Sequence, residues 1–133
     1  MKSKQVLSVK QMKHLQELGL DTSDASMLFQ RGSATRHEWV LHVMGYADVS
    51  LREKEFTYTL QDILDKLPHY LKPVPFEQTL FAWMIERNTI AYRNVDNVYE
   101  CIKHFTNTCL IDAAYKMLCW CIEKGYIKEL ENK

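Results

Sequence analysis

Residues 110–127, LIDAAYKMLCWCIEKGYI, decide how the chain folds. At about 100° per residue, Asp112, Lys116, Cys119 and Glu123 fall on one narrow polar stripe. Leu110, Ile111, Ala113, Ala114, Met117, Leu118, Trp120, Cys121 and Ile122 fill nearly all the rest. The pattern predicts a helix over roughly residues 108–124, capped by Asn107 or Thr108 and ended by Gly125. So wide an apolar arc is more than one sheet face covers. The helix is therefore expected to lie between two layers, or to turn part of its surface towards another subunit. Tyr115 and Trp120 flank the polar stripe, where an apolar arc meets solvent and aromatic side chains anchor partners. Together with Cys119, expected as an exposed thiol on the stripe, they are the candidate interaction surface.

Outward from this helix, the chain alternates short helices with short strands. A first helix is signalled by Ser8 as its cap, by Val9, Met12, Leu15 and Leu18 as its apolar stripe, and by Gly19 as its terminator. Asp21-Thr22-Ser23-Asp24 reads as a turn, because these side chains bond local backbone groups. Two strands are expected at residues 27–31 and 38–44, joined by a hairpin loop at Gly32-Ser33-Ala34-Thr35. Residues 45–57 read as polar and irregular. In the second helix, residues 59–67, Thr59 and Asp62 form a capping box, Leu60, Ile63, Leu64 and Leu67 face inwards, and Pro68 stops the helix. Residues 80–93 fit either period, since Phe76, Leu80, Trp83 and Met84 also satisfy helical spacing. The alternation through TIAYR at residues 89–93 favours a hairpin, with Arg87-Asn88 as its turn and Asn88 at positive φ.

The composition suits one soluble α+β domain spanning residues 1–133. The architecture expected is a small antiparallel sheet of about four strands packed with three helices, the C-terminal one central. Of 133 residues, 47% are apolar and 26% charged, which is too apolar for disorder. A chain of this length buries roughly 68% of the surface its unfolded form exposes, enough for a real core. Seventeen basic and seventeen acidic residues cancel, and they cancel within each half of the chain as well. A nucleic-acid binder concentrates Lys and Arg on one face. Here Lys2, Lys4, Lys10 and Lys13 cluster, but Glu17 follows closely, so the group reads as a solvated helix face and no nucleic-acid partner is expected. No stretch approaches the roughly 20 apolar residues that cross a bilayer, and the first residues lack the pattern of a secretory signal. The expected location is the cytoplasm, with Cys101, Cys109, Cys119 and Cys121 reduced.

Three segments carry a resemblance: residues 12–27 (MKHLQELGLDTSDASM), residues 59–68 (TLQDILDKLP) and residues 110–127. In this order they resemble a recurrent group of short Bacteroidetes proteins from prophage-like and other mobile-element contexts. The resemblance implies an α+β fold and an accessory role in a mobile element. It transfers no activity and no catalytic residues, because the shared positions are core residues and caps.

Few constellations carry chemistry. Cys101 and His104, followed by Cys109, have the C-x2-H…C spacing of part of a zinc site. A fourth ligand would have to be Cys119, Cys121 or a distant His, and Cys119 and Cys121 point about 160° apart on their helix. Buried cysteines beside a surface histidine explain the same pattern. Cys119 sits near the negative end of its helix with Asp112 and Glu123, which opposes a reactive thiolate. His37 and His42 should face opposite sides of their strand, while His14 and His69 fall on polar surfaces. The carboxylate pairs Glu53/Glu55 and Asp62/Asp65 are explained by solvated faces and capping. No phosphate-binding Gly loop and no nucleophile elbow occurs in the sequence. The expectation is a non-enzymatic, cytoplasmic interaction or accessory protein, contacting a protein partner or itself, with no cofactor. The alternative is a metal- or thiol-dependent enzyme using Cys101, His104 and Cys109.

Overall fold

In a computed structural model, which describes residues 4–31, 40–43, 53–73 and 78–127, the chain is an α+β fold with three helices and antiparallel sheets. Helix α1 (Val9–Glu17) starts at Ser8, whose side chain accepts the Gln11 N–H at 3.1 Å while Gln11 Oε1 accepts the Ser8 N–H at 2.9 Å. It stops at Gly19, whose φ of 99° lets the chain reverse. There the N–H of Gly19 bonds Gln16 O and that of Leu20 bonds Leu15 O, a double closure that also brings buried Leu20 back onto buried Leu15. Helix α2 (Leu60–Lys66) repeats the capping logic with Thr59 and Asp62. Its cap also joins segments, because Asp62 Oδ2 accepts the Ser26 hydroxyl at 2.6 Å.

Helix α3 (Leu110–Glu123) is the central element. It packs against α2 and against the sheet strands β6 (Thr89–Asn94) and β7 (Asn97–Thr106). Ile111, Ala113, Ala114, Met117, Leu118 and Cys121 are buried, while Lys116 and Glu123 are exposed and Asp112 is partly so. The polar stripe and apolar arc are therefore where periodicity puts them, with the exception of Cys119. Gly125, at φ 79°, ends the helix by the same double closure as Gly19. The N-terminus differs from expectation. The capping position is Cys109, which makes no side-chain cap bond, and Asn107 Oδ1 instead accepts the Cys109 N–H at 3.0 Å. The half-buried Cys109 packs on the core, so tertiary contact rather than a polar cap anchors this end.

The strands form two sheets rather than one of about four. In the first, β1 (Met27–Arg31) lies between β2 (Val40–Val43) and β3 (Glu53–Thr57). Strand β3 falls where the sequence reads as irregular. As a sheet edge with charged Glu53, Lys54 and Glu55, it gives no apolar alternation to detect. The expected loop at 32–35, and residues 38, 39 and 44 of the expected strand, lie outside the described residues. The second sheet runs β4 (Tyr70–Leu71), β5 (Phe81–Glu86), β6, β7. The β5–β6 hairpin turns at Arg87-Asn88 as expected, but the residue at positive φ (56°) is Arg87, not Asn88. The first turn position carries the left-handed residue in the hairpin turns whose twist matches the strands. Strand β7 went unread because two register shifts break its alternation.

Two measurements test this account of the core. Leu118 is fully buried, so Leu118→Ala should lower the stability read by urea unfolding by about 2–5 kcal/mol. Asp112 Oδ1 accepts from Lys4 Nζ at 2.7 Å and from Gln11 Nε2 at 2.9 Å, tying the segment before α1 to the first turn of α3. Burial pushes its carboxyl upwards, but the Gln11 and Lys4 hydrogen bonds and the Lys4 and Lys116 charges outweigh that and hold it below the usual carboxylate value. The stabilisation it provides is present above the ordinary carboxylate range and is lost as pH falls through and below that range. Asp112→Asn should therefore cost about 1–2 kcal/mol at neutral pH and flatten the decline of thermal midpoint on acidification.

Candidate functional site

Helix α3 does not present its three candidate residues as one surface. Cys119 lies at the middle of the polar stripe yet is only 9% exposed. Its short thiol belongs to the core cluster, with the longer, half-buried Tyr115 one turn back on the helix. The exposed thiol expected at a subunit contact is thus a buried one. Burial, partly opposed by the Tyr115 hydrogen bond, pushes its pKa up to about 11. Burial likewise pushes Cys121 up to about 12, with the Tyr92 hydroxyl opposing it in part. Tyr115 leans towards α1, with its ring centroid 6.3 Å from that of His14. Trp120 turns the other way and is half-buried between Tyr92 (6.4 Å) and Tyr126 (5.5 Å). Five residues along a helix separate side chains by about 140°, which is why the two aromatics diverge.

Between Tyr115 and α1 lies an open groove of about 800 Å³, bordered by Lys10, Lys13, His14 and Glu17. All four are solvent-exposed and of mixed charge, and the groove lacks a buried polar group to fix a ligand.

The zinc-like set is split by topology. Strand β6 pairs Tyr92 with Lys103 but Arg93 with Cys101, so Ile102 is the extra residue of a β-bulge. That insertion brings Cys101 and His104, three apart, onto one face, whereas an unbroken strand would put them on opposite faces. Cys109 stands apart at the start of α3, and the Cys101 thiol donates to Lys103 O at 3.3 Å. Among the described residues, no three His, Cys, Asp or Glu side chains gather as a metal-holding group.

The pairing register instead draws attention to a different surface. Directly opposed residues of an antiparallel pair share a face. Phe81, Trp83, Ile90, Tyr92 and Phe105 turn to the core under α3. The other face carries three rows: Tyr70, Ala82, Arg93 and Cys101; then Met84, Ala91 and His104; then Glu86, Thr89 and Thr106. The elements packed on this sheet, α3 foremost, contact its core face. Above the outer face, Val98, Tyr99 and Glu100 bulge out of β7, because Asn94 pairs with Asn97 while Arg93 pairs with Cys101. The bulge is pinned by Arg93 Nη1 to Val98 O (3.1 Å), Asn94 Nδ2 to Glu100 Oε2 (2.9 Å) and the Tyr99 N–H to Asn97 Oδ1 (3.2 Å). Tyr99 consequently projects almost free, 92% exposed. It borders a groove of about 540 Å³ over Met84 and Ala91, with Arg93 and Glu86 at its two ends. Neither charge belongs to an ion pair among the described residues. Sequence reasoning missed this site, although Asp96-Asn97 between two β-rich runs was a hairpin signal that would have led to it.

The burial of the two α3 thiols has a direct chemical consequence. At pH 8, iodoacetamide should modify Cys101 and Cys109 of the folded chain while Cys119 and Cys121 stay unmodified until denaturant is added, as read by peptide mass spectrometry. Early labelling of Cys119 would contradict its placement.

Among the described residues no helix is long and apolar enough to cross a membrane. No family model, curated protein or solved structure matches the chain, so the site is read from its own geometry.

Proposed function

We propose that the chain is a non-enzymatic protein-interaction protein, acting as a cytoplasmic accessory of a mobile element, and that it meets its protein partner through the outer face of the four-stranded sheet. One observation carries this reading: a nearly free tyrosine stands beside half-buried Met84 on a sheet face that, among the described residues, no helix covers. Tyrosine anchors interfaces well, because it offers a large rigid apolar body with a polar tip and loses little rotamer freedom on contact. Val95, Val98 and Tyr70 add exposed apolar surface around the same face. Clustered exposure of large apolar side chains such as these marks contact sites on folded domains. The groove is lined by Met, Ile, Ala, Val, Thr and Tyr with one charge of each sign, a composition suited to contact rather than to nucleophilic chemistry. The mobile-element context rests on the resemblance of the three segments, and the cytoplasmic location agrees with four free cysteines.

A photo-crosslinking amino acid at position 99, with a second at exposed position 124 as control, tests the reading in cells. The expected result is one recurrent protein adduct from position 99, identified by mass spectrometry, and none of it from position 124. Equal labelling from both positions, or none from position 99, overturns the proposal.

A further inference from the structure

We infer that the occupant of the outer sheet face is a second copy of this chain, seated face to face so that Glu86 of each copy meets Arg93 of the other; this rests on reading that face as a protein interface. The three rows of the face run, in order along the strands, from Arg93 through Met84 and Ala91 to Glu86. A twofold axis lying in the contact plane along the middle row reverses the strand direction of the partner. It lays the Glu86 row of one copy over the Arg93 row of the other, and half-buried Met84 and exposed His104 over their own counterparts, with buried Ala91 between them. Both ends of the face are satisfied by the same operation, as a self-complementary interface requires. An acidic partner would be repelled at Glu86 and a basic one at Arg93, whereas a copy of the chain brings the right charge to each end. With 17 basic and 17 acidic residues, the chain adds no net repulsion between copies.

Lateral strand addition at β7 is a poorer route to the same dimer. Strand β7 is the edge of its sheet, but two register shifts and the charged Glu100 and Lys103 interrupt that edge, devices that deter strand pairing. Size sets the strength of the facial contact. Six paired residues at ~3.4 Å each on three strands ~4.8 Å apart, with the two-residue β4 beside them, give a face of roughly 300 Å². That is well under half the ~800 Å² a stable partner contributes, so the dimer belongs among weak, concentration-dependent ones.

Sedimentation equilibrium of the purified chain tests the inference, starting from a monomer of 15.7 kDa. The expected result is a monomer–dimer equilibrium with a dissociation constant on the order of 10–100 μM. Glu86→Arg and Arg93→Glu should each weaken it at least tenfold by placing like charges together, and the double exchange should return it to within about threefold of the starting value. Arg93 also holds Val98 O, so Glu86→Arg is the cleaner single change, and circular dichroism of each variant controls for folding. A chain that stays monomeric at about 500 μM, a dimer indifferent to Glu86→Arg, or a double exchange that fails to restore association each overturns the inference. If position 99 then cross-links a different protein, only the occupant is wrong. If it cross-links nothing, the interface reading fails with it.

Discussion

Burial of the apolar arc of α3 is the constraint on which the rest of the structure depends. Met117, Leu118 and Cys121 are wholly removed from water, and the helix touches α2 on one side and the β6–β7 part of the sheet on the other. Each large aliphatic side chain so buried stabilises the fold by about 1.5–3 kcal/mol against leaving it exposed. Remote segments are drawn in by the same helix. Lys4 and Gln11 converge on Asp112 at its first turn, and Trp120 at its far end seats against Tyr92 and Tyr126. Tyr92 in turn donates to Pro68 O at 2.7 Å, which ties the sheet to the end of α2. A buried hydroxyl needs such a partner, and this one makes the β6 strand a connector as well as a core strand.

The same packing explains why no helix among the described residues lies on the other face of the sheet. One helix covers one face, and the short helices α1 and α2 are committed elsewhere, α1 to β3 and α2 to α3. Strands paired by the register of β5, β6 and β7 must then put half of their side chains outwards. Several of those outward positions, such as Ala82, Met84 and Thr89, are half-buried and tolerate both water and a partner, while Ala91 between its larger neighbours is buried. The bulge at Val98–Glu100 adds an aromatic post to a floor that would otherwise be flat. Bulges re-aim side chains at sheet edges, and here the re-aimed residue is Tyr99.

Features carried by single residues or by helical period were legible in advance. Ser8, Thr59 and Asp62 cap as their types dictate, Gly19 and Gly125 take the positive φ that reverses the chain, and the Arg87-Asn88 turn separates two strands. Features set by partners were not. Cys119 sits in the centre of a polar stripe, and only its place in the core cluster makes it a buried thiol. Cys101 and His104 share a face only because Ile102 is extra, and a bulge is defined by the facing strand, which no local window contains. Strand β3 is almost wholly polar, since an edge strand has less need of apolar alternation.

What the amino-acid order determined by itself is therefore the set of helices, their ends apart from the start of α3, and the burial of the last one, because these follow from backbone valence and from a period of 3.6 read along a single segment. Tertiary structure alone decided that the strands divide into two sheets, that Tyr115 and Trp120 point apart, and that Met84, Arg93 and Tyr99 come together along one groove. The physical reason is that strand pairing and its irregularities are relations between distant segments. Their energy resides in cross-strand contacts, which exist only once the register is chosen.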